Sequence, residues 1–350
     1  MVGHGGDVYA ASRELGIPLD RIIDFSASIN PLGTPRSVQD ELRRNLGRLR
    51  HYPDISSTEL TGEVSKSIGV SPESIICGNG STELIYLVVR ALQPKRVLVT
   101  APAFSEYENA VHVLSGSRIR RFTMLEKDNF KLDVDAFIKA AKGCDMAFIC
   151  NPNNPTGGLV SASNMLRIAQ AAEESGCCLV VDEAFIDFVP DESVIRKVSE
   201  YPSLIVIRSM TKFYALSGLR LGYAVINPAR LDLVRSHKEP WTVNSLAQAA
   251  GVVALRDDDY KKRTFTFLAK EKEFLEKGFR RLDIQYVPSR ANFYLLKAAG
   301  TAYNISVRLR EKGILVRDCS NFMGLDGSYI RAAVRTRREN SRLLRELTVL

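Results

Sequence analysis

A series of short, wholly apolar runs constrains this chain more than any other feature. They fall at 75–76, 97–99, 146–149, 178–181, 204–207 and 221–226, with stretches between them long enough to hold helices. A strand that stays apolar residue after residue is covered on both faces, and such strands belong to mostly parallel sheets packed between helices. Residues 83–92 and 163–175 carry helix-compatible spacing and lie between those runs, as crossovers do. The expectation is an α/β fold with a mostly parallel central sheet in a large domain. Beyond residue 228 the pattern changes to long helices through about 278. Short strands follow at 284–287, 292–296, 314–316 and 329–334, with helix at 303–312 and again from about 338. That pattern describes a smaller α+β domain. We expect an N-terminal arm at 1–45, containing Pro31, Gly33 and Pro35 and packing on the small domain, a large ligand-binding domain at 46–240, and the small domain at 241–350.

Composition narrows the function. The six cysteines are scattered with no CxxC pair and the four histidines lie far apart, so neither a disulfide framework nor a metal site is expected. The N-terminus lacks the basic start and apolar stretch of a signal peptide, and charge interrupts every apolar run long before membrane-spanning length. A cytoplasmic protein with no membrane partner is expected. The net charge of +8 invites a nucleic-acid reading, but lysine and arginine are spread along the chain and no binding motif stands out. Phosphorylated small molecules explain that charge at least as well, and no nucleic-acid partner is expected.

Four motifs stand at the ends of expected strands, where open α/β sheets place their ligands. Gly78-Asn79-Gly80-Ser81-Thr82-Glu83 opens a helix after a strand, where glycines let backbone approach closely and free N–H groups bind phosphate. A plain capped helix start would read the same way. Asn151-Pro152-Asn153-Asn154-Pro155-Thr156-Gly157 makes a rigid turn that aims an amide side chain. Asp182, in Val181-Asp182-Glu183-Ala184-Phe185, ends an apolar strand, and a carboxylate there needs a partner such as a pyridinium N–H. In Arg208-Ser209-Met210-Thr211-Lys212, followed by Ser217-Gly218-Leu219-Arg220, a desolvated lysine stands beside hydroxyls and an arginine suited to an anion.

Together and in this order, the motifs resemble the fold-type I pyridoxal 5'-phosphate (PLP) enzymes of the class I/II aminotransferase group, over essentially the whole chain. The resemblance implies that fold and that cofactor. It makes Lys212 the lysine that carries PLP as an imine and Asp182 the carboxylate that keeps the pyridine nitrogen protonated. Asn154 is then the donor to the cofactor's phenolic oxygen. Tyr107, in Ala101-Pro102-Ala103-Phe104-Ser105-Glu106-Tyr107, is expected to stack on the ring. Ser81, Thr82, Ser209, Thr211 and Arg220 are expected to hold the phosphate. Tyr52, in His51-Tyr52-Pro53-Asp54, matches a tyrosine that reaches the phosphate of the neighbouring subunit, which implies a homodimer with shared active sites.

Two subfamilies come nearest, the histidinol-phosphate aminotransferases and the L-threonine-O-3-phosphate decarboxylases of cobalamin biosynthesis. The stretches His4-Gly5-Gly6, 24–33, 240–244 and 317–322 look like the decarboxylases. So does 182–188, which has phenylalanine where the aminotransferases usually carry a tyrosine touching the cofactor oxygen. The spacing of Arg317 and Arg331 fits the substrate-binding arginines of that subfamily, with Arg331 at the carboxylate, Arg317 and His4 at the phosphate, and Asn30 assisting at the carboxylate. The implied reaction converts L-threonine O-3-phosphate to (R)-1-amino-2-propanol O-2-phosphate and carbon dioxide. Transamination of histidinol phosphate is the alternative. A PLP-sensing regulator is a remote third reading, since it needs an added DNA-binding module for which no residues are left over.

Overall fold

The computed structural model describes residues 5–114 and 116–348. Twelve strands are present among them: β1 (Ile23–Asp24), β2 (Ile75–Gly78), β3 (Arg96–Ala101), β4 (Arg118–Thr123), β5 (Met146–Cys150), β6 (Cys178–Asp182), β7 (Leu204–Ser209), β8 (Gly222–Val225), β9 (Phe293–Lys297), β10 (Ile314–Leu315), β11 (Arg317–Asp318) and β12 (Tyr329–Ala333). Seven form one sheet in the order β2-β8-β7-β6-β5-β3-β4. All of its pairings are parallel except the two made by β8, which runs against both β2 and β7.

Alternation of side chains along each strand feeds two cores, one on each face of this sheet. Leu98, Ala147, Ile149, Leu179, Val181 and Val206 join one apolar cluster, while their neighbours Val97, Val99, Met146, Phe148, Val180 and Ile205 join the other. Both faces are dry, which is why the strands read as unbroken apolar runs. Truncating one of the large side chains, such as Phe148→Ala, removes about 3–5 kcal/mol of stability. Within this sheet, the strand that the apolar runs did not announce is β4. It is an edge strand whose Arg118, Arg120 and Arg121 are exposed, and such charge discourages pairing with a further strand.

Helices cross between the strands and stop where their sequences stop them. Ala162–Ser175 starts at Ser161, whose side chain accepts the Asn164 N–H, and ends at Gly176 in the left-handed region at φ 69°. The long helix Asp258–Arg281 leads to a three-stranded antiparallel sheet, β11-β12-β9, and the final helix Arg337–Leu347 opens on a capping box of Thr336 and Glu339. The 284–287 segment makes only a single bridge, Tyr286 to Leu296, rather than a strand. Near the N-terminus, β1 pairs in parallel with β10, and the Phe25 carbonyl accepts from the Ala333 N–H at the end of β12. These bonds join residues 23–25 to the C-terminal strands. Together with the C-terminal ends of the parallel strands, they enclose a cavity of about 620 Å³.

Candidate active site

The cavity floor consists of strand ends. Asp182 is the last residue of β6 and is buried, 4% exposed. Its Oδ1 accepts the Ala184 N–H at 3.0 Å and its Oδ2 accepts the Tyr107 hydroxyl at 2.6 Å. Burial raises its pKa to about 6, with the Tyr107 hydroxyl pulling the other way. Lys212 lies in the short helix Met210–Phe213 directly after β7. Burial lowers its pKa to about 8, and the charges of Arg331 and Arg220 push the same way. A lysine so placed is neutral, and therefore nucleophilic, in a far larger fraction near neutral pH than a solvated one. Beneath it, Arg208 on β7 forms a buried pair with Glu183, Nε to Oε2 at 3.0 Å, locking the ends of β6 and β7 together.

One end of the cavity gathers hydroxyls, a helix start and an arginine, donors suited to an anion. Ser81 and Thr82 in the first turn of the helix Gly80–Leu92, with Ser209, Thr211 and Arg220, all line it. The Ser209 and Thr211 hydroxyls lie 2.7 Å apart. Two glycines make this end possible. A Cβ on Gly80, at φ 78°, would stand 2.4 Å from Arg220 Nη2, and one on Gly222 would stand 2.7 Å from the Ser81 nitrogen. Only bare backbone lets the helix start, β8 and the guanidinium converge.

The opposite end belongs to the C-terminal sheet. Arg317 on β11 and Arg331 on β12 are direct partners in the antiparallel register, so both side chains leave the same face, and both line the cavity. Arg331 is 7% exposed; it donates to the Ser26 carbonyl at 2.6 Å and to Asn154 Oδ1, while its Nε has no partner among the described residues. Burial lowers its pKa to about 10. Arg317 donates to Asn321 Oδ1 at 2.7 Å and lies 5.2 Å from the Phe322 ring centroid. Neither arginine forms a salt bridge with a carboxylate among the described residues. Two paired cations turned into one cavity suit a ligand carrying more than one negative group.

The strand-end motifs therefore converge as the sequence leads one to expect: Ser81, Thr82, Asn154, Asp182, Ser209, Thr211, Lys212, Arg220, Arg317 and Arg331 all line one cavity. Two residues do not play their expected parts. Tyr107 is fully buried beneath the cavity, with its ring stacked on Phe148 at 5.1 Å and its hydroxyl bonded to Asp182, so it offers no face to a cofactor ring. Phe104, from the same segment, lines the cavity instead, as do Phe185 and Phe322. Asn30 is likewise sealed in. Its Nδ2 donates to the Phe213 carbonyl and to Thr264 Oγ1, both at 2.8 Å, its Oδ1 accepts the Leu32 N–H, and its own N–H donates to the Lys212 carbonyl. It braces the lysine's backbone and is not among the cavity-lining residues. Ser28, two residues earlier, does line the cavity, and its buried Oγ has no partner among the described residues. A signal existed for each missed residue. Phe104 lies three residues beyond the end of β3, and Ser28 stands in the 24–33 stretch already singled out.

Tyr52 is 81% exposed, outside the cavity, with its ring centroid 4.9 Å from that of Trp241. His4 lies outside the described residues, but the adjoining Gly5 lines the cavity, and the Gly6 N–H donates to Ser26 Oγ at 2.7 Å. Among the described residues no cluster of His, Cys, Asp or Glu could hold a metal ion, and no helix is long and apolar enough to cross a membrane.

The chain and its fold are matched by known proteins. The family described as aminotransferase class I and II matches residues 20–347, and the chain belongs to that family. Within it, the chain is 40% identical to the threonine-phosphate decarboxylase of Salmonella typhimurium over 348 residues, covering 98% of this chain and 95% of that one. Among solved structures, the L-threonine-O-3-phosphate decarboxylase of Porphyromonas gingivalis superposes with a TM-score of 0.83 at 28% identity, covering 94% of this chain and 99% of that one. The histidinol-phosphate aminotransferase of Clostridium acetobutylicum superposes with a TM-score of 0.86 at 30% identity, covering 94% and 98%.

Proposed function

We propose that this chain is a PLP-dependent carboxy-lyase of cobalamin biosynthesis, converting L-threonine O-3-phosphate to (R)-1-amino-2-propanol O-2-phosphate and carbon dioxide. The observation that carries the substrate is the in-register pair Arg317 and Arg331, facing the cavity without carboxylate partners. The cofactor fits what is present. A Cβ on Gly80 or Gly222 would collide with Arg220 or Ser81 of the cradle, whose donors are hydroxyls, a helix start and an arginine, and a buried carboxylate and a lysine of lowered pKa stand at the strand ends. When bound, PLP supplies an electron sink for the pair left at Cα as the carboxylate departs.

The chain's own residues divide the remaining work. Ser81, Thr82, Ser209, Thr211 and Arg220 hold the cofactor phosphate, and Tyr52 of a second copy reaches the same phosphate in a homodimer. Asp182 holds the proton on the ring nitrogen, Asn154 binds the phenolic oxygen, and Phe104 covers the ring face. Arg331, helped by the Ser28 hydroxyl, binds the substrate carboxylate, and Arg317 with His4 binds the substrate phosphate. Lys212 Nζ carries the cofactor between turnovers and returns a proton to Cα after carbon dioxide leaves. Phe185 supports decarboxylation over transamination: it lines the cavity, its ring centroid lies 6.0 Å from Lys212 Nζ, and it has no hydroxyl to give the cofactor oxygen. Incubation with L-threonine O-3-phosphate should release carbon dioxide and the amino-propanol phosphate in equal amounts. Glutamate formed from histidinol phosphate and 2-oxoglutarate, with no carbon dioxide from phosphothreonine, would replace this reading with the aminotransferase one.

A further inference from the structure

Tyr107 stands in the first turn of the helix Glu106–Leu114, on the side that faces the sheet. Its ring is fully buried and nearly parallel to that of Phe148, at 11°, with the Phe104 ring edge-on at 5.8 Å. Packing alone would be served as well by phenylalanine. The hydroxyl instead makes a 2.6 Å bond to Asp182 Oδ2, on the oxygen that the Ala184 N–H does not occupy. Burial and the adjacent carboxylate hold the Tyr107 pKa well above its usual value, so at working pH this hydroxyl is always a donor.

We propose that Tyr107 is a positioning residue that acts through Asp182, keeping the carboxylate ionised and oriented so that the proton shared with the cofactor's ring nitrogen stays on nitrogen. The proposal rests on the role given to Asp182 above and extends it to a side chain that touches neither cofactor nor substrate. A buried carboxylate is destabilised as an anion and gains from each donor that satisfies it. With Tyr107 in place, Asp182 already titrates at about 6. Losing a charge-assisted donor raises a carboxyl pKa by about one unit or more, enough to bring this one to neutrality. A carboxyl group that binds its own proton more tightly takes the shared proton from nitrogen, and the ring then withdraws electrons less well.

The test uses Tyr107→Phe, which removes the hydroxyl and keeps the stack on Phe148, and Tyr107→Leu, which removes both. Carbon-13 NMR of labelled aspartate in the full chain without cofactor reads the Asp182 midpoint. Nitrogen-15 NMR of protein loaded with ring-labelled PLP reads protonation at nitrogen. In Tyr107→Phe we expect the Asp182 midpoint to rise by about one pH unit and the ring-nitrogen resonance at pH 7.5 to move toward the unprotonated position. A wild-type midpoint and resonance in Tyr107→Phe, with or without changes in Tyr107→Leu, would overturn the proposal. The parent reading fails separately: an unchanged nitrogen resonance in Asp182→Asn would show that Asp182 does not meet the ring, whatever Tyr107→Phe does to the carboxyl titration.

Discussion

The two ends of the cavity use opposite means of handling negative charge. At the central sheet, the anion site is mostly backbone and neutral hydroxyls, set by glycines whose replacement would collide with Arg220 or Ser81. At the C-terminal sheet, the site is two arginines side by side, one of them buried with an unpartnered Nε. The first arrangement is rigid and already formed, and suits a group that stays bound through many turnovers. The second holds like charges close together at the expense of burial and repulsion, and suits a group that arrives, neutralises them and leaves. Chemistry should therefore fail when the first end is altered, and substrate choice when the second is.

The largest effect should follow Lys212→Ala, with a fall in turnover of about 10³-fold or more and no cofactor fixed to the protein by borohydride, whereas wild type should be labelled at Lys212. Label appearing at another lysine would break the assignment. The same residue gives a pH signature. Its pKa of about 8 means that capture of PLP by cofactor-free protein should speed up as pH rises through 8, because the neutral amine is the attacking form. A solvated lysine would show that rise only near 10.4.

Next in size is Arg331→Ala, which should lower kcat/KM by on the order of 2–5 kcal/mol by stranding the substrate carboxylate. Steady-state kinetics on phosphothreonine and on threonine should show the loss for both, since both carry that group. Arg317→Ala sharpens the contrast. It should reduce kcat/KM for phosphothreonine by about 2 kcal/mol and leave the already poor reaction of threonine nearly unchanged. Equal proportional losses would mean that Arg317 does not read the phosphate. The smallest effect belongs to Tyr52→Phe, which should weaken cofactor retention severalfold while sedimentation still shows a dimer; an active wild-type monomer would remove the shared site.

The central sheet was legible because burial on both faces leaves an unmistakable run of apolar residues, and the motifs were legible because strand ends must carry the polar groups that the strands cannot. Where the sequence misled, the deciding quantity was side-chain direction. Phe104 and Tyr107 are three residues apart on one segment, and nothing in their identities tells which faces the sheet and which the cavity. Asn30 and Ser28 lie in one stretch, and only the fold shows that the larger amide is consumed by Phe213 and Thr264 while the smaller hydroxyl is left open. The edge strand β4 escaped notice because exposure had replaced its apolar residues with arginine.

The reversed strand β8 has a consequence for chain connectivity. Because it runs against β7, its first residue Gly222 pairs with Ser209 and with Gly78, the last residues of its neighbours. The link from Lys212 to Arg220 therefore never leaves the rim of the sheet, and the two side chains stay eight positions apart on a short tether. A parallel strand in that place would demand a crossover of a dozen or more residues and send the arginine's segment to the far edge before it could return. Lysine and arginine are thus held at a nearly fixed spacing by local chain geometry, whatever the C-terminal sheet does. A circular permutant opened between Tyr214 and Leu219 would cut that tether while keeping every contact partner in the sequence, and would reveal how much of the site's order comes from the connection itself.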